Sequence, residues 1–292
     1  MNVTTSTSAP WSRWLNPLVL VSLTLAVVLY QWPRSDPAQR STAVLTAPPV
    51  LPRPEVARFL AFGLTSLWAD WYWLQFAQYF GDAPARELTG YDYSDDYLEL
   101  ITQLDPRFVS AYTAASFAMA QSQQDPDGAL ALMRRGIDYN QGVDLPLKWD
   151  LYRAYAGVAF LYKNDYTTAA RYFEEAVSLP GAPLVLKAFA AAFYRAGDDW
   201  ERAIPLWIDV YLTSPTPQVK GRARHQLERM GVWLNLWGPP PARRTPDPAL
   251  LKFLKLGECS QKSFPAVPLP GFQASYVPLA QVRTACSSRQ TP

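Results

Sequence analysis

Residues 156–176 read AGVAFLYKNDYTTAARYFEEA, and residues 190–210 read AAAFYRAGDDWERAIPLWIDV. The second stretch repeats the small and large apolar positions of the first at an interval of 34 residues. The recurring pairs are Gly157 and Ala191, Phe160 and Tyr194, Tyr166 and Trp200, Ala169 and Ala203, Phe173 and Trp207, and Ala176 and Val210. Because one helix–turn–helix unit of this length cannot bury its apolar face alone, the interval predicts helix pairs that stack on one another.

The first of these units resembles a tetratricopeptide repeat, in which small residues lie where two helices cross and large residues fill the spaces between them. The residues that carry the resemblance are Ala156, Gly157, Phe160, Tyr166, Ala169, Phe173 and Ala176, followed by Pro180. Ala169 and Ala176 share one helical face, where a bulky side chain would separate the helices beyond about 8–10 Å. The resemblance implies a superhelical array of helix pairs.

The repeat pattern weakens towards the N-terminus, and we assign the array to residues 55–231. Its units are a divergent helix pair over 55–104, a looser repeat over 107–139, and two clear repeats over 150–183 and 184–217. The interval from Ala129 to Ala169 is 40 residues rather than 34. We therefore expect about six extra residues in the loop near 140–146.

Composition agrees with a helical protein. The chain has 292 residues, of which 49% are hydrophobic and 18% are charged, and its 27 prolines mostly avoid the predicted helix interiors. No strand pattern with a period of two persists along the chain. The predicted fold class is all-α, with an N-terminal transmembrane helix, a tetratricopeptide-like array and an irregular Pro-rich C-terminal tail.

A membrane anchor is predicted at residues 15–32, after an N-terminal segment of residues 1–14. The stretch carries no charge, and as a helix it would be about 27 Å long, close to the thickness of the hydrocarbon core. Trp14 and Trp32 lie at its two ends, as aromatic residues do at membrane interfaces. A cleaved signal peptide is the alternative, but Tyr30, Gln31, Trp32 and Pro33 are a poor cleavage site.

Residues 33–54 form a Pro-rich linker between anchor and array. Repeated proline favours extended geometry, so the linker could reach up to about 68 Å at roughly 3.1 Å per residue. Positive charges on the two sides of the anchor are nearly balanced, with Arg13 against Arg34 and Arg40. A signal anchor of this length usually leaves the following domain outside the cytoplasm, so we expect the array on the non-cytoplasmic side, in a periplasm or a lumen.

The segment 59–81 contains a single charge, Asp70, and many aromatic residues. A second membrane span is one interpretation, although a central Asp would cost about 2.5–3.5 kcal/mol there. The interpretation we favour is a long first helix of the array, buried on several sides. Trp68, Trp71 and Trp73 are its candidate docking or membrane-interface aromatics.

The chain ends with a basic helix and a Pro-rich extension. Lys220, Arg222, Arg224 and Arg229 lie on a predicted helix whose apolar face is Val219, Ala223, Leu227 and Met230. A solvated cap of the array explains this pattern, and anionic lipid or an acidic partner is the functional alternative. Nucleic acid is not expected as a partner, because the basic residues lie in no known binding module.

Residues 232–292 are predicted to be irregular apart from a short helix near 249–256, with Cys259 and Cys286 either disulfide-bonded or free.

Catalytic motifs are scarce, and the chain is not expected to be an enzyme. The chain has one histidine, His225, and two cysteines, which are too few for the usual zinc site built from these residues. Neither a metal site nor a cofactor is therefore predicted. Asp92, Asp95 and Asp96 could serve an envelope hydrolase. In the simpler interpretation, Asp92 or Ser94 caps a helix that begins near Asp95.

The resemblance also implies a binding groove, which the first helix of each unit would line. The positions that it assigns to this groove include Phe117, Leu151, Val158, Leu161, Tyr162, Val185 and Arg195. Such a surface suits an amphipathic helix or an extended apolar peptide. The alternative is that the chain's own C-terminal tail covers it.

The predicted function is therefore a membrane-anchored, non-catalytic scaffold that recruits or helps to assemble a membrane protein complex. A stable accessory subunit that docks through Trp68–Trp73 is one alternative, and a hydrolase that uses Asp92–Asp96 is another. The sequence leaves the oligomeric state open.

Overall fold

The computed structural model describes residues 21–29, 46–238, 243–244 and 264–277, together with Val282 and Thr284. Over these residues the chain is mostly helical, which confirms the predicted all-α class at this level. Two compact units are present. One comprises Met1–Val50 and Asp82–Gly90, and the other comprises Leu51–Gly81 and Tyr91–Pro292.

Eleven helices follow residue 53 in the described part of the chain. They are α1 (Pro54–Leu60), α2 (Thr65–Gly81), α3 (Ala83–Thr89), α4 (Ser94–Leu104), α5 (Val109–Phe117), α6 (Pro126–Tyr139), α7 (Lys148–Lys163), α8 (Tyr166–Val177), α9 (Val185–Ala196), α10 (Trp200–Thr213) and α11 (Pro217–Arg229). A π-helical turn, Ala118–Ser122, continues α5, and a 3₁₀ turn covers Asn235–Trp237.

The first unit contains what the structure describes of the predicted anchor. Only residues 21–29 of the predicted span 15–32 are described, and they are helical and exposed. Residues 46–50 of the linker have no regular helix or strand, and the remaining linker residues before 46 lie outside the described ranges. Among the helices that the structure describes, none is both long and apolar enough to cross a bilayer.

In the second unit, consecutive helices from α4 to α11 pack against one another, and α1 and α2 pack on α4. Side-chain pairs link helices within this arrangement: Arg135 of α6 pairs with Glu99 of α4, Lys163 of α7 with Asp127 of α6, and Lys187 of α9 with Asp209 of α10. The result is a helical arrangement of the repeat type.

The turn inside each helix pair is built in the same way three times. Asp125, Asp165 and Asp199 each precede the second helix of a pair, and their carboxylates accept hydrogen bonds from the backbone amides of Gly128, Thr168 and Arg202 at 2.9, 2.9 and 3.2 Å. The residues just before them, Gln124, Asn164 and Asp198, have positive φ angles of 59°, 52° and 66°. Left-handed geometry ends the first helix, and the carboxylate caps the second.

The longer interval between Ala129 and Ala169 has a different origin from the one predicted. The loops 140–147 and 178–184 differ by only one residue. Instead, α7 has 16 residues where α9 has 12, and α6 has 14 where α8 has 12. The prediction of a longer loop was therefore wrong, because the additional residues extend the helices.

Lys148 holds the loop before α7 in place. Its buried ammonium group donates hydrogen bonds to the carbonyl oxygens of Asn140 and Val143 at 2.6 and 2.9 Å. The Asn140 side-chain amide in turn donates to the Pro106 carbonyl at 2.8 Å. The Asn140 carbonyl directly follows α6, where a helix leaves carbonyl groups without internal partners, and the other two bonds hold the loops at Val143 and Pro106.

The C-terminal extension is less irregular than predicted. It contains β1 (Val232–Leu234), β2 (Arg243–Arg244), β3 (Phe264–Pro265), β4 (Val267–Pro268) and β5 (Ala274–Tyr276). An antiparallel sheet has the order β1-β5-β4, with Val232 opposite Tyr276, and β2 pairs with β3. The expected helix near 249–256, Cys259 and Cys286 lie outside the described residues.

The predicted apolar face of α11 is confirmed. Ala223, Leu227 and Met230 are buried, and Val219 packs against the same core. The helix does not end the fold, because β1 follows it after Gly231 and packs against it. Through β1, the strand β5 of the tail is joined to the end of the array.

Candidate functional site

Five aromatic residues join the two clear repeats. The Phe160 ring of α7 lies 4.6 Å from the Phe193 ring of α9, and Phe173 of α8 stacks on Phe193 at 5.3 Å. Phe189 and Tyr166 extend the cluster, at 5.6 Å from Phe173 and 5.8 Å from Phe160. Aromatic pairs at such distances add about 0.5–1.5 kcal/mol beyond the area that they bury. The cluster therefore fixes α9 against α7 and α8.

Two of the predicted groove residues are not accessible to a partner in this structure. Leu151 and Val158 are buried, with 1% and 2% of their surfaces exposed. Their helix, α7, packs against α5, α6 and α8, so little of its surface remains open. These two side chains belong to the core, and the prediction that they line an open groove is corrected accordingly.

Four other predicted groove residues are exposed. We call Phe117, Leu161, Tyr162 and Val185 the rim residues, because each lies at or near the end of a helix: Phe117 ends α5, Leu161 and Tyr162 lie in the last turn of α7, and Val185 begins α9. Phe117 also contacts Phe80 of α2 at 5.3 Å between ring centroids. Their role in binding stays a prediction.

Arg195 takes part in a contact between helices. Its guanidinium donates to the Gln226 side-chain oxygen of α11 at 2.9 Å. Partial burial, followed by the nearby charge of Arg229, lowers the pKa of Arg195. The residue thus ties α9 to α11 in a positively charged environment.

The three tryptophans predicted on α2 occupy different environments. Trp73 is half-buried and lies 5.3 Å from Phe108, and Trp68 is half-buried and lies 6.0 Å from Tyr72. Trp71 alone of the three is exposed, with 56% of its surface accessible. They therefore do not form one exposed patch.

Only one face of α2 is buried. Ala69, Tyr72 and Phe76 pack into the core, where α2 contacts α4, whereas the opposite face is exposed. The expectation of a long helix buried on several sides was thus wrong. Moreover, the segment 59–81 is divided by a turn between α1 and α2.

An exposed strip of large apolar side chains runs from the end of α1 along α2. We call it the apolar ridge, and it consists of Phe59, Phe62, Leu64, Leu67, Trp71 and Leu74. Leu67, Trp71 and Leu74 also help to line a cavity of about 430 Å³, together with Trp68 and Asp70. The sequence interpretation singled out the tryptophans and missed the leucines, although the spacing of 64, 67, 71 and 74 was a visible signal for one helical face.

The carboxylate cluster does not form the predicted helix cap. The helix α4 begins at Ser94, and no side chain caps it. Instead, the Asp95 carboxylate accepts a hydrogen bond from the Gln123 side-chain amide at 2.8 Å. Partial burial and the adjacent Asp95 charge raise the pKa of Asp96. Within the described ranges, no group of three His, Cys, Asp or Glu side chains is arranged to hold a metal ion.

His225 is exposed on α11, as predicted for a surface side chain.

No protein-family model matches the chain, and no curated protein matches it in a sequence search.

Proposed function

We propose that the chain is a membrane-anchored, non-catalytic scaffold of the tetratricopeptide type, which recruits or helps to assemble a membrane protein complex. The observation that carries this proposal is the helix pair that recurs with the same turn at Asp125, Asp165 and Asp199. Stacked pairs of this kind form extended surfaces that bind other proteins. Residues 15–32 supply the anchor, and the array lies on the non-cytoplasmic side of the membrane.

The rim residues Phe117, Leu161 and Tyr162, which lie at the C-terminal ends of α5 and α7, form the binding surface of this scaffold, whereas Val185 begins α9 and lies at the other end of its helix. From 40% to 66% of each side chain is exposed, although all four are large and apolar. Leu184 and Phe189, next to Val185 on the same part of the chain, are exposed as well. Exposed apolar groups of this size mark interaction sites when they lie together. The partner is a protein segment with an apolar face, such as an amphipathic helix.

An accessory subunit that docks through α2 is the second candidate function. The exposed indole of Trp71 and the cavity beside it favour this alternative, because tryptophan is enriched among residues that dominate protein interfaces. In that case the rim residues would be dispensable for partner binding.

A matched set of variants tests the leading proposal. Leu161→Glu combined with Tyr162→Glu places two charges on the rim, and Leu212→Glu places one on a comparably exposed leucine of α10. Each protein is purified in detergent from cells that contain its natural membrane, and the co-purifying proteins are identified by mass spectrometry. We expect the double variant to lose companions that the wild type and Leu212→Glu retain, while circular dichroism shows unchanged helix content. Companions that survive the double variant would contradict a rim-mediated scaffold.

A further inference from the structure

The apolar ridge is most exposed at its tip. Its tip is the turn between α1 and α2, where Phe62 is 84% exposed and Phe59 is 77% exposed. The rings of these two residues are 6.5 Å apart. Behind the tip, Leu64 directly precedes α2, and Leu67 and Trp71 follow it along one face of that helix at intervals of three and four residues.

The turn holds its tip in an unusual backbone geometry. Phe62 has a φ angle of 47° and Gly63 has one of 87°. A bulky residue at positive φ is uncommon, and strained backbone tends to occur where it serves a function. The Leu64 amide donates to the Ala61 carbonyl at 2.8 Å, and Ala61 itself is buried. The strained turn is thus well anchored below, while the Phe62 side chain above it makes little contact with the core.

The opposite side of this element is fixed to the second unit. Ala57 and Ala61 are buried beside the turn, and Tyr72 and Phe76 are buried on the inner face of α2. The Arg58 guanidinium adds a hydrogen bond from its Nε to the Gln103 carbonyl of α4 at 3.2 Å. The faces of α1 and α2 opposite the ridge are therefore held in the core, and the ridge residues lie on the exposed side.

We propose that the apolar ridge inserts into the interfacial layer of a lipid bilayer and gives the second unit its own contact with the membrane. The exposed Phe59 and Phe62 at the tip do not line the cavity beside Trp71, and such apolar side chains need no complementary surface in a fluid lipid layer. Trp and aromatic rings favour the headgroup region, where one side is apolar and the other is wet.

Charge supports lipid of neutral headgroup as the occupant. Between residues 59 and 81, Asp70 is the single ionisable acid or base of the Asp, Glu, Lys and Arg types. Arg58, next to Phe59, is exposed but donates to the Gln103 carbonyl, so insertion here depends mainly on apolar contact and responds little to salt. The basic helix α11, with Arg222 and Arg224, would show the opposite behaviour.

The inference rests on the proposed anchor. The linker 33–54 leads directly into α1, so the length of the linker limits the distance between the ridge and the bilayer. A spanning anchor raises the effective concentration of the ridge at the lipid surface, so even weak insertion of the ridge would be populated.

The test uses the full chain in phosphatidylcholine vesicles, with Cys259→Ser and Cys286→Ser in every protein. An environment-sensitive fluorophore is attached at Phe62→Cys in one protein and at Leu147→Cys in another. Leu147 is a matched control, since it is 57% exposed and has a φ angle of 59°. We expect lipid-borne nitroxides to quench the label at position 62 but not the label at position 147.

Three results would overturn the proposal. If carbonate-washed vesicles retain the protein but label 62 stays accessible to an aqueous quencher, the ridge does not insert although the anchor holds. If the protein leaves the vesicles altogether, the proposed anchor fails together with the inference. If label 62 is protected from both quenchers in a concentration-dependent manner, a second copy of the chain covers the ridge.

A second measurement tests the ridge as a unit. Phe62→Ser combined with Leu64→Ser changes only exposed side chains, so the core should be unaffected. With the fluorophore at Trp71→Cys, we expect the ratio of inserted to free ridge to fall by about a hundredfold, since each of the two large apolar side chains contributes about one factor of ten to burial. Unchanged lipid quenching at position 71 would contradict insertion from the tip.

Discussion

The Asp165 carboxylate shows how one side chain begins a helix. It accepts a hydrogen bond from the Thr168 amide at 2.9 Å, and this bond is the largest cause of the lowered pKa of Asp165. A carboxylate whose pKa is lower in the folded chain than in the unfolded chain stabilises the fold at pH values above its ordinary pKa of 3.8. The contribution is lost as the pH falls below that value towards the folded pKa.

We expect Asp165→Ala to lower the free energy of unfolding by about 1 kcal/mol near pH 7, because an amide at the start of α8 loses its acceptor. Asp165→Asn keeps an acceptor without a charge and should remain close to the wild type there. The difference between wild type and Asp165→Ala should shrink near pH 3, whereas the Asn variant should show no such titration. Urea denaturation followed by circular dichroism measures all three. An Asn variant as unstable as the Ala variant would rule out the acceptor role.

The three aspartate caps had a sequence signal that was not used. Asp165 and Asp199 precede Tyr166 and Trp200, and these aromatic residues were already recognised as equivalent. Asp125 precedes Pro126, which is itself a typical first residue of a helix. By contrast, the positive φ angle of Gln124 has no comparable signal, because the turn around it imposes the geometry, whereas Asn164 is of a residue type that adopts left-handed geometry more readily.

At the scale of elements, the crossing of α5 and α6 depends on one missing side chain. A Cβ atom placed on Gly136 would lie 2.6 Å from the Cδ1 and Cγ atoms of the Tyr112 ring. Tyr112 is 1% exposed, and burial raises its pKa to about 12. The ring has no room to move, so the glycine sets how closely the two helices approach.

The same substitution should have opposite effects at two helical glycines. Gly136→Ala should lower the free energy of unfolding by about 1–3 kcal/mol through overpacking against Tyr112. Gly157→Ala in α7 should raise it by about 0.5–1 kcal/mol, because a Cβ there meets no atom within 4 Å and alanine is the better helix former. Thermal and urea denaturation of both variants provide the measurement. If Gly136→Ala instead stabilised the fold, the Tyr112 ring would have to move to accommodate the added methyl group.

Periodicity predicted the second helices of the pairs better than the first ones. Ala169, Phe173 and Ala176 are buried on one face of α8, as their spacing indicated. Gly157 was assigned to a helix crossing, yet the space beside it is open. The pattern could not reveal this, since a small residue fits a crossing and an empty surface equally well. The length of α7 also had no signal in the sequence. The helix begins at Lys148, which donates to backbone carbonyl groups of the preceding loop, and every residue carries such a carbonyl.

At the scale of the molecule, most buried apolar residues in the described part of the chain fall into two clusters. The first extends from Ala57 through α2 and through α4 to α8, and includes Ala190 of α9. The second includes Ala191, Trp207 and Leu227 and continues to Ala274 of β5. The helix α9 contributes to both, which is the arrangement expected when each helix pair contacts mainly its neighbours.

The candidate site and the tail show where sequence reasoning ended. A leucine or valine on a helix face looks the same whether or not another helix covers it, so Leu151 and Val158 could not be distinguished from exposed Leu161 by spacing. In the tail, β1 pairs with β5 across some 40 residues of chain. Strands of two or three residues are too short to show an alternating pattern, and their partners are not neighbours in sequence.

We expect the two clusters to lose stability separately. Trp207 is 3% exposed, and its indole N–H has no hydrogen-bond partner within the described part of the chain. Trp207→Ala should therefore remove packing alone, about 3–5 kcal/mol. Hydrogen exchange measured by mass spectrometry should then show faster exchange in α10, α11 and β1, while α4 to α6 keep their protection. Met133→Ala, in the fully buried core of the first cluster, is the matched substitution and should give the reverse pattern. Equal loss of protection across all helices in both variants would mean that the array unfolds as one cooperative block, because local destabilisation would then spread through α9 instead of stopping there.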